Sequence, residues 1–229
     1  MRRVGRGHRI IRPLIGVALA ALLLLALAQL LLPRLAASRI SSRVARYGSV
    51  EHVGVSAWPA VELLWGHADS VTVRAHSLSL TPAQAAKLLW EGRNVQRIQL
   101  DSSSVRLGNV QLTGARLRKR GSSLTAGASI DGAAVRAALP PGFAVGLVRS
   151  EGGTVQVSAS GGLFGVGATV QAVAEASEGR LVVHPLGSLL QGFSLTLFAD
   201  PRVYVEAVGA GVLSSSPPSY RLTMRARLR

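Results

Sequence analysis

The chain has 229 residues, 48% of them hydrophobic, a formal net charge of +15 and no cysteine. That length suits one globular domain with a short appendage. The lack of cysteine excludes a disulfide framework, a thiol nucleophile and a thiolate metal site, so the domain must be held by its apolar core.

The charge is concentrated at the start. Arg2, Arg3, Arg6, Arg9, Arg12, Arg34, Arg39, Arg43 and Arg46 all precede Tyr47, in a stretch without acids. From Tyr47 onward seventeen basic residues face eleven acids, a net +6. The strongest field therefore lies beside the first hydrophobic run, where it suits an anionic bilayer surface.

Residues 1–13 form a basic leader, expected on the cytoplasmic side. Leu14 to Leu32, between Pro13 and Pro33, carries no charge, and Gln29 is its only strongly polar residue. At ~1.5 Å per residue this stretch is about 28 Å long as a helix, close to the thickness of a hydrocarbon core. It is expected to be a transmembrane signal anchor that holds the chain in a bacterial cell membrane as a single-pass protein. Ala26-Leu27-Ala28 also fits a signal-peptidase pattern, and cleavage after Ala28 would make the protein secreted. Leu30, Leu31 and Leu32 prolong the apolar run past that point, which favours the anchor. Arginines flank both ends, but the arginine-rich leader favours N-terminus in and main domain out. Residues 33–46 read as a basic juxtamembrane segment, with a turn of helix from Ser38 to Arg46.

Residues 47–229 change character, to short alternating runs separated by glycine, serine and proline. Strands are predicted around Val50, Val53 and Val55; Val71, Val73 and Ala75; Ile98 and Leu100; Val105 to Leu112; and Leu124 to Ile130. Others follow around Val155 to Ala159, Val166 to Ala172, Leu181 and Val183, and Val203 to Ala207. The last is the clearest, with Tyr220, Leu222, Met224, Ala226 and Leu228 alternating with Arg221, Thr223, Arg225, Arg227 and Arg229. One face is apolar and the other cationic. Short helices are expected from Pro59 to Trp65, from a Thr81 cap with Pro82 in its first turn to Gly92, and from Asp131 through Leu139 to Pro140-Pro141. Strands interrupted by short helices indicate an α+β domain with a mostly antiparallel, curled sheet, not a parallel βαβ fold.

A catalytic or metal centre is not visible. His8, His52, His67, His76 and His184 are scattered without metal-ligand spacing, and Asp69 near His67 forms no catalytic signature. There is no G-x-S-x-G elbow, and Gly165-Val166-Gly167 lacks the third glycine of a dinucleotide fingerprint because Val170 takes that place. No enzyme activity, cofactor or metal is expected. Leu117-Arg118-Lys119-Arg120-Gly121 reads as a basic hairpin turn, either solvated or facing phosphate. Nucleic acid is not an expected partner, since aromatic stacking platforms are sparse. Many inward positions are valine or alanine, so the sheet either packs closely on another layer or leaves an apolar groove.

Val53-Gly54-Val55, Trp58-Pro59, Leu63-Leu64-Trp65-Gly66 and Val71-Thr72-Val73, in that order, resemble the opening of the LmeA-like phospholipid-binding proteins of high-GC Gram-positive bacteria. Leu124 to Leu139 and Leu181-Val182-Val183-His184-Pro185-Leu186-Gly187 are similar too, so that the resemblance spans roughly Ser38 to Arg229. It implies a cell-envelope protein of tubular lipid-binding type, whose sheet curls around helices to shelter an acyl chain without catalysis. On that view Trp58, Leu63, Leu64, Trp65, Leu88, Leu89 and Trp90 are the candidate apolar lipid contacts, because tryptophan suits a site with one wet and one apolar side. Arg221, Arg225 and Arg227 are the candidates for anionic headgroups. The leading expectation is a membrane-anchored extracytoplasmic binding protein for phospholipid or a related acyl or polyprenyl lipid, in envelope lipid or glycolipid handling. The alternative from another class is a scaffold that holds an envelope enzyme at the membrane without carrying lipid.

Overall fold

The computed structural model describes residues 27–137, 143–163, 166–187 and 194–229. The leader, the apolar stretch as far as residue 26, Leu139 to Pro141 and Gly165 lie outside them. The first described element is a helix, α1, over residues 27–44. It runs through Pro33, so the end of the apolar stretch and the basic segment are one continuous helix where the sequence suggested a break. Among the described residues no helix is long and apolar enough to cross a membrane. A 3-10 turn, Ala45–Tyr47, leads from α1 into the sheet.

The strands form two sheets. The larger contains β1 (Gly48–Ser56), β2 (Ala68–Leu80), β3 (Val95–Leu107), β4 (Val110–Arg120), β5 (Ser123–Asp131), β11 (Val203–Ser215) and β12 (Pro218–Leu228), in the order β1-β2-β3-β4-β5-β12-β11. The smaller contains β6 (Phe143–Glu151), β7 (Thr154–Leu163), β8 (Val166–Ser177), β9 (Arg180–Leu186) and β10 (Leu195–Phe198), in the order β10-β9-β8-β7-β6. Pairing is antiparallel except between β2 and β3. Helix α2 (Pro82–Glu91) makes that one parallel crossover, a local βαβ unit inside the strand-rich domain.

The α2 boundaries follow from local chemistry. The Thr81 hydroxyl accepts the Gln84 N–H at 3.2 Å, the Gln84 side chain accepts the Thr81 N–H at 2.8 Å, and Pro82 opens the first turn. This reciprocal box satisfies two N–H groups that a bare helix start leaves unpaired. At the other end the Gly92 N–H returns to the Leu88 carbonyl at 3.1 Å. A short third helix, α3 (Gly132–Ala137), is capped by the Asp131 carboxylate, which accepts the Ala134 N–H at 2.6 Å.

Both longer helices pack on one face of the large sheet, its inner face. Ile40 and Val44 of α1 lie against Ala68, Val71 and Val73 and their neighbours, and Val44 also meets the cluster around Ala75, Leu78 and Val105. Ala86 and Leu89 of α2 pack with Leu124, Val203, Ala226 and Leu228. The exposed edge of β11 is closed by hairpin turns of the small sheet. The Val205 N–H donates to the Gly179 carbonyl at 2.9 Å, the Val208 N–H to Gly153 at 3.1 Å, and the Ala210 N–H to the Ser150 hydroxyl at 2.9 Å. An open sheet edge is thereby paired within the chain.

Candidate functional site

Register shows how the inner face is built. One row runs Val55, Val71, Ile98, Lys119, Leu124, Ala226 and Val205 across the large sheet. The next inner row runs Val53, Val73, Leu100, Leu117, Ala126, Met224 and Val208. Where α2 covers the first row, Leu124, Ala226 and Val205 are buried. Farther along the same strands, Ala126, Ala128, Leu222, Met224, Val208 and Ala210 are only half-buried. The result is an apolar strip lined largely by small side chains. It adjoins the cluster that α2 covers, against which Met224 packs, with α3 against the same strands.

Among the described residues, Lys119 is the one charged side chain buried within this face, at 1% exposed. Its amine donates to the Arg93 carbonyl at 3.0 Å and to the Val95 carbonyl, at the junction of α2 and β3. Burial pushes its pKa below the usual lysine value. The basic run at residues 117–121 is therefore not a uniformly solvated turn. Arg118 and Arg120 face water, while Leu117 and Lys119 face inward.

The expected apolar contacts fall into three places. Leu63 joins the cluster around Val71 and Val73, and Leu89 joins the one around Leu124. Leu88 and Trp90 are half-buried on α2, and the Arg93 guanidinium lies 4.9 Å from the Trp90 ring centroid. Trp58, Leu64 and Trp65 are 72%, 67% and 68% exposed, on the 3-10 turn Ala60–Trp65 and the loop before it. That loop is pinned at both sides. The Asp69 carboxylate accepts the Trp58 N–H at 2.8 Å, and the Gln29 side chain accepts the Ala60 N–H at 2.8 Å.

The outer face of the large sheet is cationic. Arg97, Arg120, Ser123 and Arg227 share one cross-strand row, and Gln99, Arg118, Thr125 and Arg225 the next outward-facing one. Arg221 and Arg225 are exposed on β12, whereas Arg227 pairs with Glu206. Beside Arg225 an open cleft of about 460 Å³ lies between β12 and the β6–β7 turn, lined by Thr125, Thr223, Ser150 and Gly153 among others. Sequence periodicity found the arginines and the alternation that puts Ala126 and Ala128 on one face, but it missed this cleft and could not tell which inner row the helices leave uncovered.

Among the described residues no group of three or more histidine and carboxylate side chains is placed to hold a metal ion. His184 lies 3.7 Å from Glu175, and His76 lies 3.9 Å from Glu51, both on exposed surface.

Residues 26–216 match the family model of the LmeA-like phospholipid-binding proteins. No curated protein and no solved structure gives a significant match.

Proposed function

We propose that this chain, which belongs to the LmeA-like phospholipid-binding family, is a non-catalytic binding protein of the cell envelope that shelters a phospholipid acyl chain on the inner face of its large sheet. The observation that carries the reading is the half-buried strip of Ala126, Ala128, Leu222, Met224 and Ala210. Its alanines would let an acyl chain lie close against an apolar wall, and each methylene so buried would contribute about 0.8 kcal/mol. Ten methylenes would give roughly 8 kcal/mol before the cost of ordering the lipid.

Membrane residence is part of the same reading. The uncharged Leu14 to Leu32 stretch supports an anchor, the leader arginines support a cytoplasmic N-terminus, and the domain from residue 47 onward would then lie outside the membrane. Helices held against one face of a curled sheet suit the tubular lipid-binding architecture. Arg221 and Arg225 lie on the opposite face of β12 from the strip, so they would attract anionic headgroups of the membrane surface, not the headgroup of the sheltered lipid, with Arg227 shared with Glu206.

Titration of the detergent-solubilised full chain with a fluorescent phospholipid analogue tests this reading. Saturable binding that unlabelled phospholipid competes away supports it, and the Arg221→Gln/Arg225→Gln pair should weaken association with anionic vesicles while leaving this competition unchanged. Linear, uncompeted partitioning of the probe would contradict it and favour a scaffold that carries no lipid.

A further inference from the structure

Among the described residues, the most exposed aromatic surface is not part of the strip. Trp58 and Trp65, with Leu64 between them in sequence, project from the loop and turn that join β1 to β2. They are held there by design of the backbone: the Gln29 amide grips Ala57 and Ala60, and Asp69 grips Trp58. Gln29 belongs to the first described turns of α1, where Leu30, Leu31 and Leu35 are 63%, 53% and 61% exposed. Six large apolar side chains are thus presented to solvent around one clamp. The core does not need them, since the same turn sends Leu63 and Ala60 inward.

The charges nearby have the matching sign. Register carries the row of Ser56, two residues before Trp58, through Ser70 to Arg97, Arg120 and Arg227 at the same end of the large sheet. On α1 the exposed Leu30 and Leu31 are followed by the exposed Arg34. Tryptophan favours the boundary between headgroups and acyl chains, and arginine favours the phosphates just above it. An exposed apolar patch rimmed by cations is the expected surface of a domain that rests on a bilayer.

We infer that this end of the molecule, with Trp58, Leu64 and Trp65 as its wedge and Arg97 and Arg120 at its rim, docks into the interfacial layer of an anionic lipid bilayer. The inference rests on the membrane residence proposed above and adds a second attachment beside the N-terminal stretch. It fixes the domain's orientation, with the α1 and β1–β2 end against the lipid.

The test is tryptophan quenching in the full chain, reconstituted into phosphatidylcholine–phosphatidylglycerol vesicles whose acyl chains are brominated near the glycerol. Trp58, Trp65 and Trp90 are the three tryptophans. Docking predicts strong quenching of the native chain, loss of most of it in Trp58→Phe/Trp65→Phe, and retention in Trp90→Phe. An Ala128→Phe variant, whose strip is filled, separates a bilayer contact from a carried lipid. Quenching that persists there supports docking, and quenching that disappears with the strip overturns it. Ready access of aqueous iodide to Trp58 and Trp65 in vesicles also overturns the inference, as does iodide protection that depends on protein concentration without bromolipid quenching, which would assign the surface to a second copy. Lipid extracted from the detergent-purified native chain reports phospholipid carriage separately, so either reading can fail alone.

Discussion

Gln29 and Ala60 meet across 31 positions of sequence: the Gln29 Oε1 accepts the Ala60 N–H at 2.8 Å while its Nε2 donates to the Ala57 carbonyl at 3.4 Å. Ala60 is 0% exposed, so its N–H has no access to water in place of this partner. The polar residue that interrupts an otherwise apolar stretch is thereby explained as a backbone clamp.

Replacing Gln29 with leucine, which is nearly its size, should cost about 1–3 kcal/mol, the penalty for a buried donor left unpaired. Hydrogen exchange at the Ala60 amide should accelerate more than exchange in β12. Unchanged protection at Ala60 would mean that the clamp is not what holds the loop.

Lys119 gives a pH signature of known sign. Burial lowers its folded pKa below the unfolded value, so between those two values the unfolded chain binds more protons. Stability is therefore penalised at low pH and recovers as pH rises from the folded pKa towards the ordinary lysine value. The stability difference between the native chain and Lys119→Met should shift in favour of the native chain across that window, at about 1.4 kcal/mol per pH unit at most. Paired denaturant titrations from neutral to alkaline pH measure it, and a flat difference would contradict the burial argument.

Gly179 tests the junction of the two sheets. Its φ is +80°, and a Cβ added there would come within 2.3 Å of the Tyr204 ring. Gly179→Ala should cost about 1–3 kcal/mol through backbone strain and this clash together. It should also loosen the Val205 N–H from the Gly179 carbonyl, seen as faster exchange at Val205. Gly108→Ala, with a similar φ of +61° and open space for a Cβ, supplies the strain-only comparison.

The sequence made β12 legible because every second residue is apolar and the intervening ones are mostly arginine. The α2 boundaries were legible because Thr81, Pro82 and Gly92 act locally. What was not legible depends on pairing at a distance. Alternation marks β7 to β9 as strands, but β6 and β10 are not among the predicted ones, and only register separates these strands into a second sheet. The single parallel pair was also hidden, since α2 reads the same whether it crosses over or merely interrupts. Lys119 could have been placed inward from its two-residue spacing to Leu117, yet its charged neighbours made the run look like a turn. Of the proposed lipid contacts, Leu63 and Leu89 went to core clusters while Trp58, Leu64 and Trp65 stayed exposed, because hydrophobicity alone does not say which layer covers a side chain.

The most direct test of lipid carriage is native mass spectrometry of the detergent-purified full chain, combined with organic extraction of whatever it holds, for the native sequence and for Ala128→Trp. Ala128 faces Leu222 on the half-buried strip, so the indole would fill the space assigned to the acyl chain. The account predicts one phospholipid on each native chain and none on a well-folded Ala128→Trp variant. A native chain that stays empty after incubation with liposomes, or a variant that carries the same lipid at the same occupancy, would contradict it.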